Sequence, residues 1–109
     1  MRGEIWTMRD DVYASKARPV VIVQSNDVGP FDSVVLCLLT SYDSSDIATR
    51  VRIDPSSRNG LERVSWVMTD KIASVSRNML GKRVGVLEQS TLDEVSRQLV
   101  AVLGLASVR

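Results

Sequence analysis

Two polar positions in this chain could carry chemistry. Arg18 precedes Pro19 and the apolar run 20–23, and Thr40 with Ser41 follows the apolar run 34–39. A guanidinium at the root of a core strand is held rigidly and partly desolvated, so it is either paired or used. If the two runs are neighbouring antiparallel strands, the start of one lies beside the end of the other. Arg18 and Thr40 would then share one edge of a sheet. A fixed guanidinium beside a hydroxyl suits a phosphate that gains negative charge during reaction, stabilised mainly electrostatically. A plainer arrangement fits the same residues: an ion pair from Arg18 to Asp27, Asp43 or Asp70, with Thr40 capping a turn. Pattern alone leaves both open.

Other routes to catalysis are closed by composition. The chain has no histidine, which removes Ser/His and Cys/His nucleophile pairs, histidine metal centres and paired-histidine acid–base chemistry. Its single cysteine, Cys37, excludes an intramolecular disulfide and, lying inside an apolar run, reads as a buried structural thiol. Neither a metal nor a cofactor is expected. The net charge of +1 gives no basic footprint, so nucleic-acid binding does not follow from charge. Eleven of the fourteen cationic residues are arginine, which suits phosphate contacts and stacking on bases. A GC-rich genome accounts for the bias equally.

The elements that must position Arg18 and Thr40 are short. With 109 residues, 44% apolar and 25% charged, residues 1–109 are expected to form a single domain with one core. Runs at 4–8, 18–24, 33–41, 48–53 and 63–69 are β-branched and separated by turn-forming stretches such as NDVGPFD, SYDSSD and DPSSRNG, the pattern of strands joined by turns. The runs 20–23 and 34–39 read as buried on both faces, whereas Arg50, Val51, Arg52 and Ile53 alternate and keep a polar face outward. Pro19 is tolerated only where a strand begins, which fixes Arg18 at the entrance. SRNMLG reads as a short helical turn closed by Gly81, and KRVGVL as a further strand. Leu92, Val95, Leu99, Val102 and Leu103 then share one helical face. That helix should span roughly 91–103, capped by Ser90 or Thr91 with Asp93 or Glu94 as reciprocal partner, and stop at Gly104. The expected class is mostly β with α: a small barrel of bent antiparallel strands covered by one C-terminal amphipathic helix. With no apolar run near the ~20 residues of a bilayer span and no signal-peptide pattern, a soluble cytoplasmic protein without membrane contact is expected.

Six pieces in order, RGEIW (2–6), RPVVIVQSND (18–27), LLTS (38–41), GLERVSWVMTDKI (60–72), SVSRNMLGKRVGVL and LDEVSRQLVAVLGL, resemble the MazF/PemK family of toxin endoribonucleases. Its barrel-like fold is shared with the CcdB gyrase poisons, and the resemblance covers nearly the whole chain. It implies the toxin of a type II toxin–antitoxin system, a homodimer held in check by a cognate antitoxin protein. It also implies metal-independent cleavage of single-stranded RNA at short sequence motifs, the 2′-hydroxyl attacking its own phosphate. By that resemblance Arg18 and Thr40 are catalytic, Arg18 holding and charge-stabilising the scissile phosphate, with proton shuttling as a second role, and Thr40 hydrogen-bonding the reacting oxygens. Lys16, Ser41, Asp70, Lys71 and Tyr13 are the candidate RNA-binding residues. Lys71 falls where relatives often carry glutamine, Asp70 would orient Arg18 or Lys71, and Tyr13 could stack on a base. Trp6 and Trp66, within strands, read as core residues.

The segment TMRDDVYASKA (7–17) departs from the family by being shorter and free of glycine, so no relative's cleavage sequence transfers. Two other readings compete. A gyrase poison on the same fold would be recognised through C-terminal residues that include a tryptophan, whereas this chain ends LGLASVR with no tryptophan after Trp66. An inactive family member serving as a binding module is opposed by the presence of both Arg18 and Thr40.

Overall fold

The computed structural model describes residues 1–9 and 17–105. Six strands, β1 (Glu4–Met8), β2 (Arg18–Ile22), β3 (Ser33–Thr40), β4 (Val51–Ile53), β5 (Ser65–Ser76) and β6 (Leu80–Val86), precede one helix, α1 (Gln89–Leu103). They form one sheet in the order β4-β5-β3-β2-β1-β6, every pairing antiparallel. The expected class holds, but the barrel does not close. The three-residue β4 and β6 remain as edges, and part of the β6 edge is met by a loop, Val86 N–H donating to the Arg58 carbonyl at 3.0 Å.

The period-2 pleat divides the apolar residues into two cores. Ile5, Val21, Val23, Cys37, Leu39, Val51, Ile53 and Val67 share one core with Leu87 and the helix residue Val95. Val20, Ile22, Val34, Leu36 and Met8 form the other. Both central strands are therefore lined on both faces, as their unbroken apolar runs imply. Val95 is fully buried, worth about 1.5–3 kcal/mol of transferred apolar surface. Leu92 and Leu99 pack beside that core, but the helix face runs out: Val102 and Leu103 are 37% and 53% exposed.

Three local expectations change. β5 continues to Ser76 rather than ending at residue 69. Cys37 pairs with Ile72 while its neighbour Leu38 pairs with Met68, so Thr69, Asp70 and Lys71 bulge out and the strand resumes beyond them. The residue preceding α1 at its N-cap is Glu88, without a side-chain cap bond, rather than Ser90 or Thr91. The Glu88 carboxylate is drawn instead to Ser56 Oγ at 2.6 Å and Asn59 Nδ2 at 3.4 Å. The turn at 77–79 is a short 3-10 helix, and β6 already includes Gly81. At the other end of α1, Gly104 adopts φ +66°, the left-handed stop anticipated there.

Candidate active site

The register of the central strands decides what stands beside Arg18. β2 and β3 pair Val20 with Leu38, Val21 with Cys37 and Ile22 with Leu36. Carried two residues further, that register sets Arg18 across from Thr40. Directly opposed residues project to the same face of the sheet, with Cβ atoms about 4.5–5.5 Å apart in a regular pair. On the far side of β3, Thr40 pairs with Trp66, next to Ser65 where β5 begins. Because the strands alternate in direction, the start of β2, the end of β3 and the start of β5 meet at one end of the sheet.

A groove of about 600 Å³ opens there, lined by Arg18, Thr40, Ser41, Glu62, Arg63 and Ser65 among others. Arg18 is exposed at the strand entrance and Pro19 half-buried behind it. Thr40 Oγ1 accepts the Tyr42 N–H at 3.1 Å, so the turn-capping role is real. That bond fixes the oxygen through one lone pair and leaves the hydroxyl proton for another acceptor.

The far wall comes from the loop before β5. Gly60, at φ +69°, also lines the groove, and a Cβ on it would come within 2.2 Å of the Val84 carbonyl oxygen in β6. Only glycine permits both that backbone and that approach. The fully buried Asn59 braces the loop from within. Its Nδ2 donates to the Asp54 carbonyl at 2.8 Å, and its Oδ1 accepts from Ser56 N–H and Leu61 N–H at 3.0 Å each. Glu62 and Arg63 are thereby delivered from a well-braced turn. Sequence reasoning missed this wall; the glycine-led GLER stretch was its signal.

The remaining candidates lie elsewhere or outside the described residues. Asp70 and Lys71 sit on the β5 bulge and are not among the residues lining the groove. Asp70 makes its principal contact with Arg50. Its two oxygens accept Arg50 Nε and Nη2, each at 3.0 Å, and the same guanidinium donates to Ser44 Oγ at 3.1 Å. The Arg50 hydrogen bond holds the Asp70 carboxyl below its usual range. Asp43 is likewise engaged, Oδ1 accepting the Ser45 N–H at 2.9 Å. Tyr13 and Lys16 fall outside the described residues. Cys37 is fully buried, and burial pushes its thiol up to about 11, an inert structural group. Trp66 is buried with the Arg52 guanidinium 6.0 Å from its ring centre, and Trp6 packs against the second core. Among the described residues no three His, Cys, Asp or Glu side chains are grouped to hold a metal ion.

Six antiparallel strands, one terminal helix and an open groove lined by an arginine and a threonine describe a small α+β protein with a polar cleft at one end of its sheet. The chain belongs to the PemK-like, MazF-like toxin family of type II toxin–antitoxin systems, whose model matches residues 1–103. Among relatives, it is 36% identical over 106 residues to a probable endoribonuclease MazF of Mycolicibacterium smegmatis, covering 96% of this chain and 97% of that one. Among solved structures, the Mycobacterium tuberculosis toxin MazF-mt6 superposes with a TM-score of 0.80 at 27% identity, over 95% of this chain and 99% of that one. A mycobacterial endoribonuclease in complex with its cognate antitoxin superposes with a TM-score of 0.82 at 26% identity, over 99% and 98% of the two chains.

Proposed function

We propose that this MazF-like toxin endoribonuclease acts in the cytoplasm as a homodimer of single-domain chains and cuts single-stranded RNA without a metal ion. Within the groove the 2′-hydroxyl oxygen attacks the adjacent phosphorus, the O2′–P bond forms and the P–O5′ bond breaks. The products are a 2′,3′-cyclic phosphate, or its opened form, and a 5′-hydroxyl end. Arg18 presents its planar fork to two phosphate oxygens and stabilises the charge that builds on them. Thr40, its oxygen fixed by the Tyr42 N–H, donates its proton to the reacting oxygens, and Ser41 extends the polar edge.

The observation that carries this reading is that Arg18 and Thr40 line one groove, at the end of the sheet toward which the β2–β3 register runs. Lys71 and Asp70, outside the groove, and Lys16 and Tyr13 would contact unpaired bases of a longer strand by edge hydrogen bonds and stacking. Homodimerisation is supported by the single helix, which covers only one of the two cores. On the other face Trp6, Leu38, Val75 and Leu80 stay partly buried, apolar surface that a second copy can cover. An antitoxin tail, acidic with apolar anchors, would bind across the Arg18 and Lys71 region and mask RNA. A gyrase-poison role is not favoured.

The test is incubation of the purified protein with a long transcribed RNA in EDTA, followed by end analysis and by substitution of the 2′-hydroxyl at a mapped cut site with hydrogen. Cleavage should persist under chelation, leave cyclic or 3′-phosphate ends, and vanish on the deoxy-substituted strand. Loss of activity on chelation, or cutting of the deoxy strand, would force a different mechanism.

A further inference from the structure

Transesterification needs a group to take the proton of the attacking 2′-hydroxyl, and neither residue already placed at the phosphate serves. A guanidinium is a donor with no acceptor capacity. Thr40 Oγ1 already spends a lone pair on the Tyr42 N–H, and a neutral hydroxyl is a poor base. The chain contains no histidine. Among the described residues lining the groove, one carboxylate is present: Glu62.

Its setting suits a proton acceptor. Glu62 stands two residues beyond Gly60, whose backbone is pressed against Val84 of β6, in the loop that buried Asn59 braces from within. A loop tied at both its core and its sheet side holds its outward residues in a defined place, as acid–base chemistry requires. Its carboxylate makes no hydrogen bond or ion pair with another described residue, so its oxygens remain available. The charged groups that line the groove with it are Arg18 from β2 and Arg63 from the same loop.

We propose that Glu62 is the general base of the cleavage reaction, an inference that rests on the ribonuclease reading above. As the O2′–P bond forms, the 2′-hydroxyl proton passes to a Glu62 carboxylate oxygen. As the P–O5′ bond breaks, the departing 5′-oxygen takes a proton from water. The neutral Glu62 carboxyl then returns its proton to solvent, so the cycle closes with no net change in the protein.

The experiment measures single-turnover cleavage across pH for the full chain and for E62Q, E62D and E62A, with melting curves alongside. The substrate is a short RNA spanning a cut site mapped on a long transcript. E62Q should cleave ~10²-fold more slowly at neutral pH and lose the acid-side fall in rate that the wild type shows. E62D should keep that fall at a reduced rate, and formate should partly restore E62A. With sulfur in place of the bridging 5′-oxygen the leaving group needs no protonation, so a base defect persists in E62Q. If E62Q matches the wild type in rate and acid limb, or if the sulfur substrate erases its defect, Glu62 is not the base although the ribonuclease reading stands. If the wild type cuts no RNA, both fail together.

Discussion

Arg18 and Arg50 are both arginines at the entrance to a strand, and their surroundings differ. Arg50 precedes β4, its side chain is 15% exposed, and its fork is occupied by both oxygens of Asp70 and by Ser44 Oγ. Arg18 begins β2, is exposed, and lines an open groove with Thr40 across the register. One guanidinium fastens a bulge in β5 to the loop before β4, and the other stands where a phosphate can reach it. The two strand-entrance arginines thus differ in setting, one built into a partly buried tie between elements and one lining an open groove.

The largest expected effect breaks the Arg18 side of this contrast. Arg18→Ala should lower single-turnover cleavage by at least ~10²–10³, the loss typical of removing one preorganised donor from a transition state, while melting stays near wild type. Arg18→Lys should restore little, because a lysine keeps the charge but not the fork that contacts two oxygens at once. Thr40→Val should also slow cleavage, and the double variant should lose less free energy than the two singles added if both act on one phosphate. Cleavage by Arg18→Ala at near the wild-type rate, with normal melting, would make Arg18 a second Arg50.

Next in size is the wall that neither arginine supplies. In Gly60→Ala the new Cβ would meet the Val84 carbonyl oxygen at 2.2 Å from a backbone at φ +69°, so the loop must shift. A residue forced into such a conformation costs about 1–3 kcal/mol, and here that cost should appear as a lowered melting temperature together with reduced cleavage, because Glu62 and Arg63 move with the loop. An unaltered melting curve with full activity would show that the loop does not shape the groove.

What the sequence could disclose follows the range of the interactions concerned. The strands around Arg18 and Thr40 were legible because unbroken apolar runs and Pro19 are local signals, and antiparallel succession then brings the two residues to one edge. The bulge was not, since the polar triplet Thr69, Asp70 and Lys71 resembles a strand end. Arg50, twenty residues away, is what anchors it while β5 resumes beyond. The helix cap failed for the same reason: Glu88 answers to Ser56, thirty-two residues distant. The groove's third wall depends on Gly60 meeting β6, a contact that no local pattern of hydrophobicity encodes. The placement of Arg18 and Thr40 at one end of the sheet could thus be anticipated from local pattern, while that of Glu62 in the same groove required the fold.

The smallest expected effect tests the Arg50 side and carries a definite pH signature. Asp70→Asn keeps the shape of the side chain but removes the charge that the Arg50 fork grips, which should cost about 1 kcal/mol of stability for a partly exposed pair, with cleavage reduced far less than in Arg18→Ala. The Arg50 hydrogen bond depresses the folded-state Asp70 carboxyl below its ordinary 3.8. A depressed carboxyl binds fewer protons folded than unfolded over that interval, so its contribution is complete above the unfolded value and disappears as pH falls through the folded one. The gap in melting temperature between wild type and Asp70→Asn should therefore be constant above about pH 5 and narrow below the ordinary carboxylate range near 4. Glu88, held down chiefly by Ser56, loses its own contribution over the same interval, but it does so in both proteins and cancels in the difference. Added salt should shrink the gap at neutral pH, since Asp70 is 37% exposed and its attraction to Arg50 is partly screened. A gap that persists unchanged to about pH 2, or that widens on acidification, would mean that the Asp70 charge contributes nothing to the fold. Arg50 could then no longer serve as the structural counterpart to Arg18.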